Sequence, residues 1–408
     1  MVAAQKSRNL LALVLLSALA STSRADVIMD WNARADSIAT DKRLLPPVHG
    51  RVLAIMHVAM FEAVNAIERR YVPYRLNLVA DRKTSGEVAA AVAGRDVLVD
   101  LYPDQKSGLD ALLAETLNRV QEGPAKERGI ILGRKAAAGI LELRSADGGD
   151  VSESYRPVAQ PGVYVPTTLP AASTVSGFTP WVMSSAAQFR PLGPPALTSD
   201  TWTRDLNEIR EIGGLNSKTR IAEQTDIGKF WFLTGARTYN PIVQQVAQHR
   251  KMDLLDCARL YALASMAAED AFIAVFDAKY TFNFWRPVTA IRNADQDGNS
   301  ATPRDATWLP LGDTPMHPEY PCAHCITSAA VAEVLRGVVG EDVGEIAVTS
   351  QTAPGVVRRW TRLDDYRDEV SNARVWAGFH YRFSTEVGKD MGKKIGELTI
   401  ATQLRPRK

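Results

Sequence analysis

The sequence is short of several things. It holds three cysteines in 408 residues. That is too few for a disulfide scaffold, and the odd number leaves at least one unpaired. It lacks an excess of either charge: 48 Lys and Arg stand against 46 Asp and Glu. This balance argues against nucleic acid or a charged membrane surface as a partner. The N-terminal half has no convincing alternation of apolar and polar residues, which argues against a sheet there. No internal repeat is present, which argues against a repeat array. Beyond the first residues, no stretch reads as long and uncharged enough to span a bilayer.

What is present begins with an export signal. Lys6 and Arg8 precede the apolar run Leu10–Ala20, and Ser23-Arg-Ala25 is a small-x-small cleavage site. Residues 1–25 are therefore expected to be a signal peptide, with an exported, periplasmic or extracellular address. Its removal takes Lys6, Arg8 and Arg24 and no acid, leaving a net charge of about −1. Roughly 380 residues remain, more than one compact core usually holds, so two lobes are expected. A homo-oligomer is compatible with this composition.

The rest reads as almost all helix. Leu53, Met56, Met60, Val64 and Ile67 recur at helical steps within Asp30–Ile67. Further helices are expected over Val88–Leu101, Gly108–Val120 and Ala125–Leu143. Residues 151–199 change character: eight prolines break every element, while Phe178, Trp181 and Phe189 argue against plain disorder. We read an ordered loop wrapping one lobe onto the other. Helices resume at Ser199-Asp200, with Asp200 or Thr201 as N-cap, and continue over Lys218–Phe232, Pro241–His249, Met252–Phe282 and Ser371–Leu398. The expected organisation is an N-terminal helical lobe (26–150), a Pro-rich loop (151–199) and a C-terminal helical lobe (200–408): an all-α protein of two packed bundles joined by a long Pro-rich connection.

The chemistry concentrates in His317-Pro-Glu-Tyr-Pro-Cys-Ala-His-Cys325. Its prolines impose an extended backbone, and a helical run follows from Ile326. His324 is thus expected at a loop-to-helix junction, where free N–H groups and the helix dipole favour an anion. Lys279 and Arg286 lie seven residues apart, a spacing that would place both on one helix face. Arg374 and His380 lie six apart, with Ala377 and Gly378 leaving room. Cys257 sits in an apolar helix and reads as a buried structural thiol.

Lys279-x6-Arg286-Pro, Pro321-x-x-His324 and Arg374-x5-His380, in that order, resemble the acid phosphatase and vanadium-dependent haloperoxidase superfamily. The longer layout resembles its bacterial haloperoxidase-like branch. The resemblance implies helical bundles of the vanadium haloperoxidase type. It implies that Lys279, Arg286 and Arg374 hold vanadate or phosphate, with Cys322 and Ala323 at the seat, and that His324 is the acid–base. His380 would be the vanadium ligand or the phosphoryl nucleophile. His317, seven residues before His324, becomes a candidate halide site. The sequence departs from the family at Cys322 (Ser expected), Ala323 (Gly), Ala373 (Ser) and Ser384 (Asp, four residues after the last His).

The implied activity is oxidation of a halide or sulfide, or another small organic substrate, by hydrogen peroxide with vanadate as cofactor; phosphate could occupy the same seat. The alternatives are a secreted acid phosphatase working through a phosphohistidine, a Cys322–Cys325 thiol-redox protein, and an oxyanion binder without turnover. A zinc site of His317, Cys322, His324 and Cys325 has suitable ligand types at cramped spacing.

Overall fold

Pro46 and Pro47 split the first helical stretch in two: α1 (Asp26–Asp41) ends before them, and α2 (Pro46–Glu68) starts on them, where a missing N–H costs nothing. This computed structural model describes residues 26–149 and 151–407, so the expected signal peptide lies outside the described residues. Next come α3 (Gly86–Leu101), α4 (Lys106–Arg119) and α5 (Pro124–Leu143). After the Pro-rich stretch follow α6 (Asp200–Ile212), α7 (Ala222–Phe230), α8 (Ala236–His249) and α9 (Leu254–Phe282). The chain closes with α10 (Pro287–Arg292), α11 (Ala323–Val339), α12 (Leu363–Trp376) and α13 (Arg382–Thr402). The protein is all-α. Among the described residues the exception is a small antiparallel hairpin between α11 and α12, β1 (Ile346–Thr349) with β2 (Val357–Trp360), in which Ile346 pairs with Trp360.

Several boundaries differ from the sequence reading. Ser199, not Asp200 or Thr201, caps α6, its Oγ accepting from the Trp202 N–H at 3.2 Å. α8 starts at Ala236 and carries Pro241 within it. α2 is long and apolar enough to cross a membrane by length and composition, contrary to expectation, but its side chains are buried inside the protein.

α9 is the axis of the molecule. It is buried along nearly its whole length, with α2 on one side and α11 on the other. One hydrophobic core runs through all three helices and on to α13. α13 approaches α11 closely because Gly392 faces it: a Cβ there would lie 2.1 Å from the Ile326 carbonyl oxygen. A smaller aromatic cluster packs Tyr320 of the motif loop with Trp202, Phe284, Trp285 and Tyr381.

The Pro-rich stretch is tied down rather than free. Asp270 of α9 accepts from the backbone N–H groups of Trp181, Val182 and Met183 at 2.6, 2.9 and 2.8 Å. Arg190 pairs with Asp277, and Tyr280 donates to the Ala171 carbonyl. The loop therefore lies along the same helix that carries Lys279.

Candidate active site

Lys279 and Arg286 do not share a helix face, contrary to the spacing argument. Asn283 adopts the left-handed conformation (φ 49°, ψ 41°) and ends α9. Pro287 then starts α10, with Arg286 as its N-cap. The two cations still converge, because both hold the motif loop. Lys279 Nζ donates to the carbonyls of Pro318 and Glu319 at 2.9 and 2.7 Å. Arg286 Nε donates to the His317 carbonyl at 2.8 Å.

Arg374 and His380 are brought together by the turn after α12. Gly378 takes φ +79°, and a Cβ there would stand 2.5 Å from the Gly213 carbonyl oxygen, so only glycine fits. The turn folds back so that the N–H groups of Phe379 and His380 both donate to the Arg374 carbonyl, at 3.0 and 3.3 Å. The Arg374 guanidinium stacks 4.7 Å over the Phe379 ring and donates to the Trp231 carbonyl. His324 is the second residue of α11 and, as expected, sits at its N-terminus.

Donor and acceptor chemistry assigns protons in this cluster. An Arg guanidinium can only donate. Arg286 Nη1 lies 3.3 Å from His380 Nε2, so that nitrogen accepts. The ring proton of neutral His380 is then on Nδ1, which lies 2.8 Å from Glu319 Oε1. His317 Nδ1 lies 2.9 Å from Arg286 Nη2, which donates, and 3.1 Å from the Pro318 carbonyl, which accepts, so its contacts demand opposite roles of one nitrogen. His324 Nε2 faces the Leu233 carbonyl at 2.9 Å and therefore donates, leaving the Nδ1 lone pair.

The cluster is short of negative charge. Lys279, Arg286 and Arg374 are 0, 1 and 1% exposed. Burial, and after it Arg286, pushes the Lys279 ammonium well below its ordinary pKa; burial lowers Arg286 to about 10; burial and then Arg286 lower Arg374 to about 9. Arginine does not give up its proton in proteins, so these shifts signify a demand for a counter-anion. Glu319 opposes the lowering of Lys279 and Arg286, and burial lifts its own carboxyl to about 7 despite those two cations. Burial, then the cations, holds His317, His324 and His380 well below the ordinary imidazole value, so all three are neutral. The buried Arg374 Nε has no hydrogen-bond partner within the described residues. Several cations, one orphaned donor and the free N–H groups at the start of α11 fit a tetrahedral oxyanion of charge two to three.

Cys322 and Cys325 form a disulfide. Cys322 caps α11, its Sγ accepting from the Cys325 N–H at 3.2 Å. A disulfide sulfur has no proton to donate, so position 322 cannot supply the hydrogen bond a family Ser would. The bridge also removes two of the four ligands considered for zinc. Both sulfurs are buried, which leaves a partner thiolate no approach for exchange. Ala323 lies beside them in the first turn, and Cys257 is buried in α9, away from this motif.

The structure therefore brings Lys279, Arg286, His317, Cys322, Ala323, His324, Arg374 and His380 to one place. Sequence reasoning missed Glu319 and the carbonyls of Trp231 and Leu233. The clue to Glu319 was an absence: Ser384 stands where a carboxylate was expected, yet a buried imidazole still needs an acceptor for its second nitrogen. A cleft of about 370 Å³ reaches Arg286 from outside, lined also by Tyr164, Thr289, Arg292, Thr314 and Met316.

Three comparisons bear on this arrangement. Residues 259–407 match the family model described as the VCPO second helical-bundle domain. The vanadium chloroperoxidase of Curvularia inaequalis is 27% identical to this chain over 43% of its length, and the match spans 39% of that relative. Among solved structures, a bacterial vanadium-dependent iodoperoxidase superposes with a TM-score of 0.80 at 25% identity, covering 94% of this chain and 97% of that one. A bacterial vanadium-dependent chloroperoxidase in its holo form gives 0.67 at 17% identity, covering 88% of this chain and 92% of that one, and shares the fold.

Proposed function

The chain belongs to the vanadium haloperoxidase-like branch of its superfamily, and from that premise we propose that it is a vanadate-dependent enzyme oxidising a halide, or a sulfide, with hydrogen peroxide. The observation that carries the proposal is the excess of buried positive charge around a neutral, oriented His380. Vanadate, when bound, supplies a Lewis-acid centre that activates peroxide without changing its own oxidation state. Lys279, Arg286 and Arg374 would hold its oxygens, and His380 would be its ligand through Nε2. His324 takes and returns a proton at Nδ1, since its Nε2–H is committed to Leu233. His317, held by Arg286 at Nδ1, is the candidate for the halide site. The cleft beside Met316 and Tyr164 is the route in. An exported address belongs to the same proposal and rests on residues 1–25 alone.

A second reading has its own support. An imidazole with Nδ1–H on a carboxylate and its Nε2 lone pair turned toward the cations is also what a phosphoryl nucleophile needs. In that reading His324 protonates the leaving oxygen and the cations stabilise the transferring group.

One experiment separates the two. The protein loaded with orthovanadate is assayed for bromination of a dye in peroxide and bromide, and the same sample for hydrolysis of a phosphate monoester. We expect bromination, inhibited by phosphate. His380→Ala should abolish it. His324→Ala should cut turnover by about 10²–10⁴-fold while vanadate still binds. Ester hydrolysis that vanadate only inhibits would transfer the site to the phosphatase reading.

A further inference from the structure

We propose that Glu319 is the positioning residue for His380, supplying from the motif loop the carboxylate that Ser384 cannot, and that it fixes the ring in the Nδ1–H form. The inference rests on the oxyanion-site reading but holds for vanadate and phosphate alike.

Glu319 is fully buried, on a loop rather than on the helix that follows His380. Its Oε1 accepts from His380 Nδ1 at 2.8 Å and from the Tyr381 N–H at 3.0 Å. The second bond pins that oxygen toward the ring. Its own carbonyl is held by Lys279 Nζ at 2.7 Å. One residue therefore links a cage cation to the orientation of the reactive imidazole. On the other side of the ring, Arg286 Nη1 presents a proton to Nε2. Acceptor on one side and donor on the other admit a single neutral tautomer, with the Nε2 lone pair turned toward the cations. A metal-ligating histidine commonly gives its second N–H to a carboxylate, and loss of such a partner weakens metal binding by about 10–100-fold.

Ser384 is buried beside this pair, and neither its hydroxyl nor Glu319 Oε2 has a hydrogen-bond partner of acceptable geometry within the described residues. A carboxylate placed at 384 would enter the same small space. The role should therefore be transferable from 319 to 384, which a purely structural contact would not allow.

The test is histidine nitrogen NMR on ¹⁵N-labelled protein, paired with calorimetric titration of orthovanadate and of inorganic phosphate. In the wild type, His380 should show a protonated Nδ1 and an unprotonated Nε2. Glu319→Gln keeps an acceptor, pinned by Tyr381, and should keep that signature. Glu319→Ala leaves Arg286 as the one restraint on the ring, and should broaden the His380 nitrogen signals and bind vanadate about tenfold or more weakly. Glu319→Ala with Ser384→Asp should restore both. A wild-type His380 carrying its proton on Nε2 would overturn the proposal without any variant, so a misfolded Glu319→Ala does not shelter it. So would Glu319→Ala with unchanged His380 signal widths and unchanged affinity. If the spectra come out as expected and no bromination is found, the peroxidase reading fails and this one stands.

Discussion

His57 shows how burial acts on a single residue away from the site. It lies at the centre of α2, wholly buried, with Nδ1 at 2.8 Å from Ser265 Oγ. Burial, and after it His49, lowers its pKa from 6.5 to about 3. The unfolded chain therefore takes up a proton between those values and the folded chain does not. Stability from this residue is present above pH 6.5 and is lost as the pH falls toward 3, by about 3 to 5 kcal/mol in all. Asp270 opposes it: its carboxyl is raised to about 6, so the folded state holds the proton between 3.8 and 6. His57→Gln should thus flatten the loss of stability between pH 6.5 and 3 relative to wild type, read as urea midpoints across pH. Parallel curves for the two proteins would contradict it. At this scale the active-site cations and histidines were legible because their spacing survives as a motif. Glu319 was not legible as a partner, since nothing in the order of residues says which carboxylate reaches a given ring.

Helix α9 joins the elements. It supplies Lys279 to the cage, and through Asp270, Asp277 and Tyr280 it anchors the Pro-rich stretch. Asp270→Ala would strand three backbone N–H groups, at Trp181, Val182 and Met183, two of them on buried residues. Each buried orphan costs about 1–3 kcal/mol. We expect a loss of about 2–5 kcal/mol in denaturant unfolding, with trypsin cleavage appearing at Arg156 and Arg190. Unchanged stability and an intact loop would refute that anchoring. Helix periods told where most elements lie, because buried positions recur every three or four residues. They failed where a local conformation overrides the period. Asn283 ends α9 before Arg286, and Pro46 breaks what looked like one long helix. The short hairpin after α11 carried too few residues for an alternating pattern.

Across the whole molecule, one apolar core spans α2, α9, α11 and α13, and side chains far apart in sequence meet over its edge. An all-helical architecture followed from composition and periodicity; the meeting point did not, because only packing brings α9, the motif loop and the turn after α12 together. The core holds three buried cations against one nearby carboxylate, Glu319, and buried charge in excess of its partners calls for an anion. The direct measurement is a crystal structure of the protein soaked with orthovanadate. The account predicts one oxyanion within hydrogen-bond reach of Lys279, Arg286 and Arg374, with vanadium bonded to His380 Nε2. Vanadium bound elsewhere, or a cage that stays closed on its own carbonyls at saturating vanadate, would contradict it.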